Sequence, residues 1–252
     1  LLPRLDEPER ADVIERSAKE LKRIHETIKK LLAYARKEET AEPPGPTSVA
    51  QVVGDAIMLV KGHPAFREVA IHNQLGAAGE PEARAHAGQL GQVMVNLLLN
   101  AADGMGREGR IAIYARVVAL GALLQPTVRR VKDPADIVVP REPNPRVRAW
   151  PDAAHRPAEV VQVVVADSGP GVNESDGERI FEPFFTTREP GKGTGLGLAI
   201  LARHVDNVGG TVWVQRAREG GAAFVLLFPV AAAPVGMPRV QPGAPAGVDG
   251  GR

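Results

Sequence analysis

Residues 191–200 have the sequence GKGTGLGLAI, in which glycine recurs at every second position before an apolar helical pattern begins. A glycine-rich loop that leads into a helix exposes backbone N–H groups and the positive end of the helix dipole to an anion, most simply a polyphosphate. Arg188 and Lys192 add mobile positive charge. The spacing does not give the Rossmann pattern G-x-G-x-x-G, and Lys192 is followed by Gly193 instead of the Ser or Thr of a P-loop. We therefore predict a phosphate site of another kind.

A second stretch, residues 163–172, has the sequence VVVADSGPGV. It ends a buried strand in a carboxylate, Asp167, and places Gly169 and Gly171 shortly after it. Glycine lets the backbone approach a flat ligand closely, and a carboxylate accepts hydrogen bonds from an exocyclic amine. Taken alone, the pattern favours an ordinary tight turn.

Polar residues form a stripe along an otherwise apolar helix predicted over residues 88–102. Their spacing of four, four and three places them on one face of the helix: Gln92, Asn96, Asn100 and Asp103. Burying such a stripe without partners is costly, so something polar must meet it. The stripe fits a hydrogen-bonded core network and, equally well, a hard cation bound together with phosphates, because an amide oxygen suits Mg²⁺.

The composition of the 252-residue chain narrows its possible functions. Lys and Arg number 31 against 30 Asp and Glu, and this net charge of +1 argues against nucleic-acid binding driven by bulk charge. Cysteine is absent, which excludes disulfides, thiolate metal sites and cysteine nucleophiles. No apolar run approaches the roughly 20 residues that span a bilayer. The chain begins at Leu1 and its first methionine is Met58, so we expect a cytoplasmic piece of a longer protein, whether or not that protein carries a membrane anchor.

Three segments flank or interrupt the main predicted domain, residues 43–230. Residues 1–42 contain one long amphipathic helix, over 8–39, whose apolar stripe needs partner helices. Residues 119–158 form a proline- and arginine-rich insertion between two strands, and a solvated, partly disordered loop is favoured over a partner-binding arm. Residues 231–252 form a flexible Pro/Gly/Ala tail without core potential.

Helices and strands follow one another in mixed order within the main domain. Further helices are predicted after a capping Ser48 and over residues 197–208. Strands are predicted over residues 69–75, 110–118, 160–166, 211–216 and 222–228. Because there is no regular βαβ repeat, this order favours an α+β fold, a two-layer α/β sandwich, over a doubly wound sheet.

Together with FEPFFTTR over residues 181–188, the three stretches resemble the catalytic and ATP-binding domain of sensor histidine kinases. That domain belongs to the ATPase superfamily of gyrase, Hsp90 and MutL. The resemblance covers residues 49–229 apart from the insertion, and it is greatest to nitrogen-regulation and dicarboxylate-sensing kinases. The leading helix, with LLAYAR over residues 31–36, resembles the second helix of the dimerisation and phosphotransfer hairpin.

The resemblance implies a role for each matching residue. Asn100 would coordinate Mg²⁺ with Asn96 beside the phosphates, and Asp167 would hold the adenine amine. The two glycines after Asp167 would shape the base pocket, and residues 181–192 would form a mobile lid. The ATP-binding residues predicted in this way are Asn96, Asn100, Asp103, Asp167, Gly169, Gly171, Phe181, Thr186, Thr187, Arg188, Lys192, Gly193, Thr194, Gly195, Leu196, Gly197 and Leu198.

No residue of the chain is assigned as the phosphoryl acceptor. Hydrolytic relatives carry a general-base Glu four residues before the magnesium-binding Asn; here that position is Asn96, which cannot accept a proton at neutral pH. The family's acceptor lies in a His-Glu-x-x-x-Pro-like motif, but His25 is followed by Lys30 where proline would stand, so we interpret His25 as a surface residue. The remaining histidines show no metal-ligand clustering and are interpreted as structural or exposed: His63, His72, His86, His155 and His204.

The sequence therefore predicts the ATP-binding part of a two-component sensor histidine kinase, with ATP and Mg²⁺ as cofactors. The phosphoryl group would pass to a histidine outside the chain and then to an aspartate of a response regulator. The intact protein would form a homodimer through its hairpin, and no nucleic-acid or membrane partner is predicted for these residues. Without the acceptor helix the chain should not phosphorylate itself. Two alternatives stay open: a catalytically silent ATP-binding scaffold, and a gyrase-like or Hsp90-like ATP hydrolase.

Overall fold

A computed structural model describes residues 10–18, 21, 25, 28, 43–75, 81–124, 144–149, 157–188, 193–217 and 220–231. The described positions of the predicted N-terminal helix are helical. Its apolar side chains Val13, Ile14, Leu21 and Ile28 are exposed. Most of the predicted tail and the middle of the predicted insertion lie outside the described residues.

A five-stranded mixed sheet forms the centre of the main domain, with the strand order β2-β4-β5-β7-β6. β2 pairs with β4 in parallel, and the other neighbours are antiparallel. The ends of all five strands fall within two residues of their predicted ends, and the predicted α+β fold is confirmed. In chain order the elements are β1 (Gly45–Ser48), α1 (Val49–Lys61), β2 (Glu68–Asn73), β3 (Glu82–Ala85), α2 (Ala87–Gly104), β4 (Glu108–Ala119), α3 (Leu120–Leu123), α4 (Pro145–Ala149), β5 (Glu159–Asp167), α5 (Gly197–Asn207), β6 (Thr211–Arg216) and β7 (Ala222–Pro229).

Three helices, α1, α2 and α5, pack on one face of the sheet. The valines of β5 are buried on both faces of the sheet. Val161, Val163 and Val165 belong to the core under these helices, whereas Val160 and Val164 belong to a second apolar cluster on the opposite face. All five are at most 1% exposed. Burial on both faces explains why this strand is an almost unbroken apolar run. Within the described residues, no helix is both long and apolar enough to cross a membrane.

The second face is covered in part by short helices from the predicted insertion. α3 lies at its start and α4 in its second half, where Leu120 and Val147 are 2% and 1% exposed. They belong to the same apolar cluster as Tyr114 and Trp213 of the sheet. These parts of the insertion are packed against the domain, unlike the solvated loop that the composition favoured. Isolated apolar residues in a Pro- and Arg-rich segment give no periodic signal by which burial could be predicted.

A small antiparallel sheet of β1 and β3 leads into α1 and α2. Ser48 caps α1 as predicted, because its Oγ accepts a hydrogen bond from the Gln51 N–H at 3.2 Å. Thr47 Oγ1 donates to the Ala85 carbonyl at 2.9 Å across the pair. This sheet was not predicted from the sequence, because both strands are short and β3 alternates only alanine with charged residues. The pairing fixes the start of α2, which carries the polar stripe.

Candidate functional site

A cleft of about 600 Å³ lies between α2, the end of β5, the segment over residues 180–188 and the start of α5. The three stretches singled out in the sequence all meet there, although they are far apart along the chain. The predicted site residues that line the cleft are Asn96, Asn100, Asp103, Asp167, Gly171, Thr186, Thr187, Arg188, Gly193, Thr194, Gly195, Gly197 and Leu198.

Backbone hydrogen bonds hold Asp167 at the end of β5. Its Oδ1 accepts the N–H of Gly169 at 2.9 Å and that of Ala222 at 3.2 Å. Because both of these bonds use Oδ1, Oδ2 is the oxygen left to contact a ligand. Burial raises the pKa of the Asp167 carboxyl above its ordinary value, and the two backbone hydrogen bonds oppose that rise. The carboxylate is therefore oriented before any ligand arrives.

The backbone approaches Asp167 so closely at Gly221 that no side chain fits there. A Cβ on Gly221 would collide with the carbonyl oxygen of Asp167. Gly171 has a φ of +83°, and its Cβ would lie 2.9 Å from the Gly220 carbonyl oxygen. Gly171 was predicted as a site residue, whereas Gly221 was not, because it stands in an ordinary-looking turn between β6 and β7.

The polar stripe of α2 forms one wall of the cleft. Asn96 and Asn100 are half-buried and Asp103 is exposed, and all three line the cavity. Gln92, one turn earlier, is exposed and does not line it. A Cβ on Gly197 would lie 3.9 Å from Asn100 Nδ2, so this amide stands beside the first residue of α5. The stripe thus faces an open cavity and not a core network.

The FEPFFTTR segment is joined to the glycine loop at the edge of the cleft. The Phe184 N–H donates to the Gly195 carbonyl at 3.0 Å, and both residues have positive φ, +68° and +64°. A Cβ on Gly195 would collide with the Phe184 backbone, so only glycine allows this contact. Thr186 Oγ1 accepts the N–H of Arg188 at 3.2 Å. This turn directs the Arg188 side chain along the cavity.

Two arginines flank Asp103 on the wall of the cleft. Arg188 Nη1 lies 3.1 Å from Asp103 Oδ2, and Arg107 Nε lies 3.8 Å from Asp103 Oδ1. The first pair connects the FEPFFTTR segment to α2 across the cavity. Its side chains are 35% and 36% exposed, so water screens their attraction. A phosphate in the cleft could therefore replace Asp103 as the partner of Arg188 at small cost.

Residues 85–232, more than half of the chain, match the family described as histidine kinase-, DNA gyrase B- and HSP90-like ATPases. The chain belongs to this ATPase family. The match begins in β3 and ends just after β7, so it contains every residue named above as lining the cleft. Membership in this family makes a nucleotide the class of ligand for the domain.

Curated relatives of this ATPase domain are sensor kinases. The chain is 38% identical to the two-component sensor PprA of Pseudomonas aeruginosa PAO1 over 59% of this chain and 13% of that protein. It is 27% identical to the sensor histidine kinase ZraS of Escherichia coli O157:H7 over 84% of this chain and 37% of ZraS. It is 29% identical to the C4-dicarboxylate transport sensor protein DctB of Rhizobium meliloti over 83% of this chain and 27% of DctB. The chain thus spans well under half the length of these relatives.

Solved kinase structures share the fold. Full-length ShkA in complex with AMPPNP has a TM-score of 0.60 at 23% identity, over 89% of this chain and 40% of ShkA. Histidine kinase ThkA in complex with the response regulator protein TrrA has a TM-score of 0.58 at 24% identity, over 90% of this chain and 53% of ThkA. The resemblance to the ATP-binding domain of sensor histidine kinases is confirmed.

Some predicted site residues of the ATPase domain do not line the cleft. The N–H of Gly169 instead donates a hydrogen bond to the Asp167 carboxylate, which does line the cleft. Phe181 is buried and packs edge-to-face on Phe224, with ring centroids 6.4 Å apart. Leu196 is fully buried where α5 begins. Lys192 lies outside the described residues.

Several lining residues of the ATPase domain were not predicted. Arg107 stands four residues after Asp103 but beyond the last residue of α2, with a φ of +72°, so the spacing of ion pairs along a helix did not predict it. His63 is exposed, as interpreted, yet it also borders the cavity. The apolar side chains that line the cleft look like ordinary core residues in the sequence, so the spacing of polar residues could not predict them. The main lining residues missed are His63, Arg107, Val172, Ile180, Phe185 and Phe224.

Proposed function

We propose that the chain binds Mg²⁺-ATP in this cleft and is the catalytic part of a two-component sensor histidine kinase. One observation carries the proposal: a single cavity holds an oriented carboxylate, Asp167, together with the Asn100 amide and the glycine loop that opens α5. The carboxylate suits the exocyclic amine of adenine. The N–H groups at the start of a helix suit phosphates.

The base would lie between Asp167 and the apolar side chains of the cleft. Oδ2 of Asp167 would accept the hydrogen bond of the adenine amine, because Oδ1 is already engaged. Val172, Ile180 and Phe224 offer apolar surface for the ring. Gly171 keeps this wall flat, because a side chain there would meet the backbone of residue 220.

The residues of the opposite wall fit a metal and phosphates. Asn100 would hold Mg²⁺, since its amide oxygen is a hard ligand on the cavity wall beside Gly197. When bound, the metal would supply positive charge that offsets the charge of the phosphates. Arg188 and Lys192 would add positive charge from the lid, and the N–H groups of the glycine loop would contact the phosphates.

The phosphoryl acceptor would be a histidine of the dimerisation hairpin, and the final acceptor an aspartate of a response regulator. Asn96 lines the cavity where hydrolytic relatives carry Glu, and an amide cannot serve as a general base. A neutral imidazole is already nucleophilic and needs no such base. His25 is exposed on the N-terminal helix, and we assign it no role in transfer. That the relatives are sensor kinases, and that ThkA was solved with a response regulator, supports this order of transfer.

Radiolabelled ATP tests the proposal. The chain alone should not label itself, whereas a longer version that includes the preceding hairpin helix should acquire an acid-labile, base-stable phosphoramidate. Labelling of the short chain that disappears in His25→Ala would overturn this assignment. Steady-state ATP turnover without any acceptor would favour the hydrolase, and nucleotide binding without transfer to the hairpin would favour the scaffold.

A further inference from the structure

The insertion between β4 and β5 reaches the base of the lid through α4. Val147 fixes this helix in the apolar cluster on the outer face of the sheet. Arg146, the preceding residue, extends in another direction, because successive side chains of a helix diverge. Its side chain contacts the edge strand β6 and also Glu178, which stands three residues before the predicted lid.

The guanidinium group of Arg146 makes three separate contacts there. Nε lies 2.8 Å from Glu178 Oε2, Nη1 donates to the Val212 carbonyl at 3.1 Å, and the central carbon stands 4.8 Å from the centroid of the Phe181 ring. The Arg146 side chain is only 28% exposed. The planar guanidinium group, with several donors in fixed directions, can make all three contacts at once. The ammonium group of a lysine cannot reproduce this set of contacts.

Phe181 connects this junction to the nucleotide cleft. Its ring contacts both the Arg146 guanidinium and, edge-to-face, the Phe224 ring. Phe224 and Ile180 both line the cavity. The turn that follows is closed by a hydrogen bond from the Glu182 N–H to the Arg179 carbonyl at 2.9 Å. A displacement of residues 178–181 would therefore change the wall of the cleft directly.

The positive charge of this guanidinium group also acts on α5. Burial raises the pKa of the Asp206 carboxyl on α5, and the nearby positive charge of Arg146 opposes that rise. One side chain of the insertion thus interacts with the base of the lid, with strand β6 and with the helix whose first turn faces the phosphates.

We propose that Arg146 is a positioning residue for the nucleotide lid: it fixes residues 178–181, the base of the lid, to the sheet edge and so holds in place the wall of the cleft that Ile180 and Phe224 form. This inference rests on the proposed function in so far as the cleft binds ATP. It assigns the insertion a role in the nucleotide cycle, which its composition did not predict.

Hydrogen exchange and nucleotide titration on the same variants test the proposal. Arg146→Ala should raise amide exchange over residues 178–185 about 10-fold without nucleotide and weaken binding of an ATP analogue about 3–10-fold. Arg146→Lys should fall between wild type and Arg146→Ala. Arg84→Ala, which removes an exposed arginine from β3 outside the cleft, is the matched control and should change neither quantity.

The outcomes separate a positioning role from simple support of the insertion. If Arg146→Ala raises exchange only over residues 144–149, and leaves both the lid base and the affinity unchanged, the proposal is wrong. Exchange over residues 97–102 of buried α2 reports global unfolding. Should Arg146→Ala unfold the domain, Glu178→Gln decides, because it weakens the contact from the lid side and should raise exchange at Phe181 and Glu182. A wild-type chain that fails to bind ATP would refute the proposed function, while lid-base exchange without nucleotide would still test Arg146.

Discussion

At one end of the cleft the ligand-facing carboxylate of Asp167 is held by two backbone N–H groups, whereas at the other end Arg188 is held only by a half-exposed ion pair to Asp103. The first arrangement is part of the sheet, because the bonds come from the turn after β5 and from the start of β7. The second connects a loop to a helix and can be replaced by a ligand. The end proposed to bind adenine (the adenine end) is therefore preorganised, and the end proposed to bind phosphates (the phosphate end) is exchangeable.

This difference matches the demands of phosphoryl transfer. Base recognition needs fixed geometry, since a preorganised site loses little entropy when the ligand binds. The phosphate end must release its product, so its contacts have to be individually weak and mobile. We expect substitutions at the adenine end to have large effects and substitutions at the phosphate end to have smaller, metal- or salt-dependent ones.

The largest effect is expected from Gly221→Ala. The new Cβ would collide with the Asp167 carbonyl oxygen and displace the strand end that orients the carboxylate. We expect a loss of about 1–3 kcal/mol in the free energy of unfolding from overpacking, and ATP affinity reduced by more than about 100-fold. Gly54→Ala on α1, where a Cβ meets nothing within 4 Å, is the control. It should be neutral or stabilising by about 0.5–1 kcal/mol. Equal results for the two variants in urea melts and calorimetry would contradict the proposed close approach.

Asp167→Asn separates recognition from stability. The amide oxygen can keep both backbone hydrogen bonds, but the NH₂ group then faces the cleft and opposes the adenine amine, so ATP affinity should fall about 10–100-fold. Burial raises the pKa of Asp167 in the folded state, so the folded protein retains this proton to higher pH than the unfolded chain does. The Asp167 carboxyl therefore stabilises the folded state most at a pH below about 3.9, the pKa of an aspartate in the unfolded chain. This contribution is lost as the pH rises through the pKa of the folded state.

Urea melts of wild type and Asp167→Asn between pH 4 and 8 check the sign of that dependence. The asparagine variant should be at least as stable as wild type at neutral pH and should lose the pH dependence caused by residue 167. Glu174→Ala, an exposed acid in a short 3-10 helix outside the cleft, should change neither ATP affinity nor this profile. If Asp167→Asn binds ATP with the affinity of the wild type, Asp167 does not recognise the base.

Asn100→Ala should affect the metal-bound nucleotide selectively. We expect the affinity of the variant for Mg²⁺-ATP to fall about 10-fold. Its affinity for metal-free ATP, titrated in excess chelator, should be nearly that of the wild type. Gln92→Ala removes an amide from the same stripe of α2 but outside the cavity, so both affinities should stay unchanged. If Asn100→Ala weakens both forms equally, the role of this amide is structural.

The parts of the molecule that could be predicted from sequence are those fixed by local spacing. The valine run of β5, the stripe of α2 and the alternating glycines each carry their periodicity within a dozen residues, and the structure brings all three to one cleft. What was missed depends on contacts between distant segments. A glycine in a turn does not reveal that Gly221 faces the Asp167 carbonyl, and a proline-rich composition does not reveal that Val147 is buried or that Arg146 reaches Phe181.

The smallest effect is expected at the exchangeable end, in Asp103→Asn. In the free protein Arg188 pairs with Asp103, so neutralising the aspartate should increase amide exchange over residues 184–188 without nucleotide. Because an exposed pair contributes about 0.2–1 kcal/mol, ATP affinity should rise only about 2–3-fold, since Arg188 no longer has to leave a partner. Arg188→Ala should instead lower affinity, and the two effects should not add, because both substitutions act on one pair. Raising the ionic strength should reduce the difference between Asp103→Asn and wild type. A fall in affinity for Asp103→Asn would show that Asp103 contacts the nucleotide or its metal directly, and the phosphate end would then be as preorganised as the adenine end.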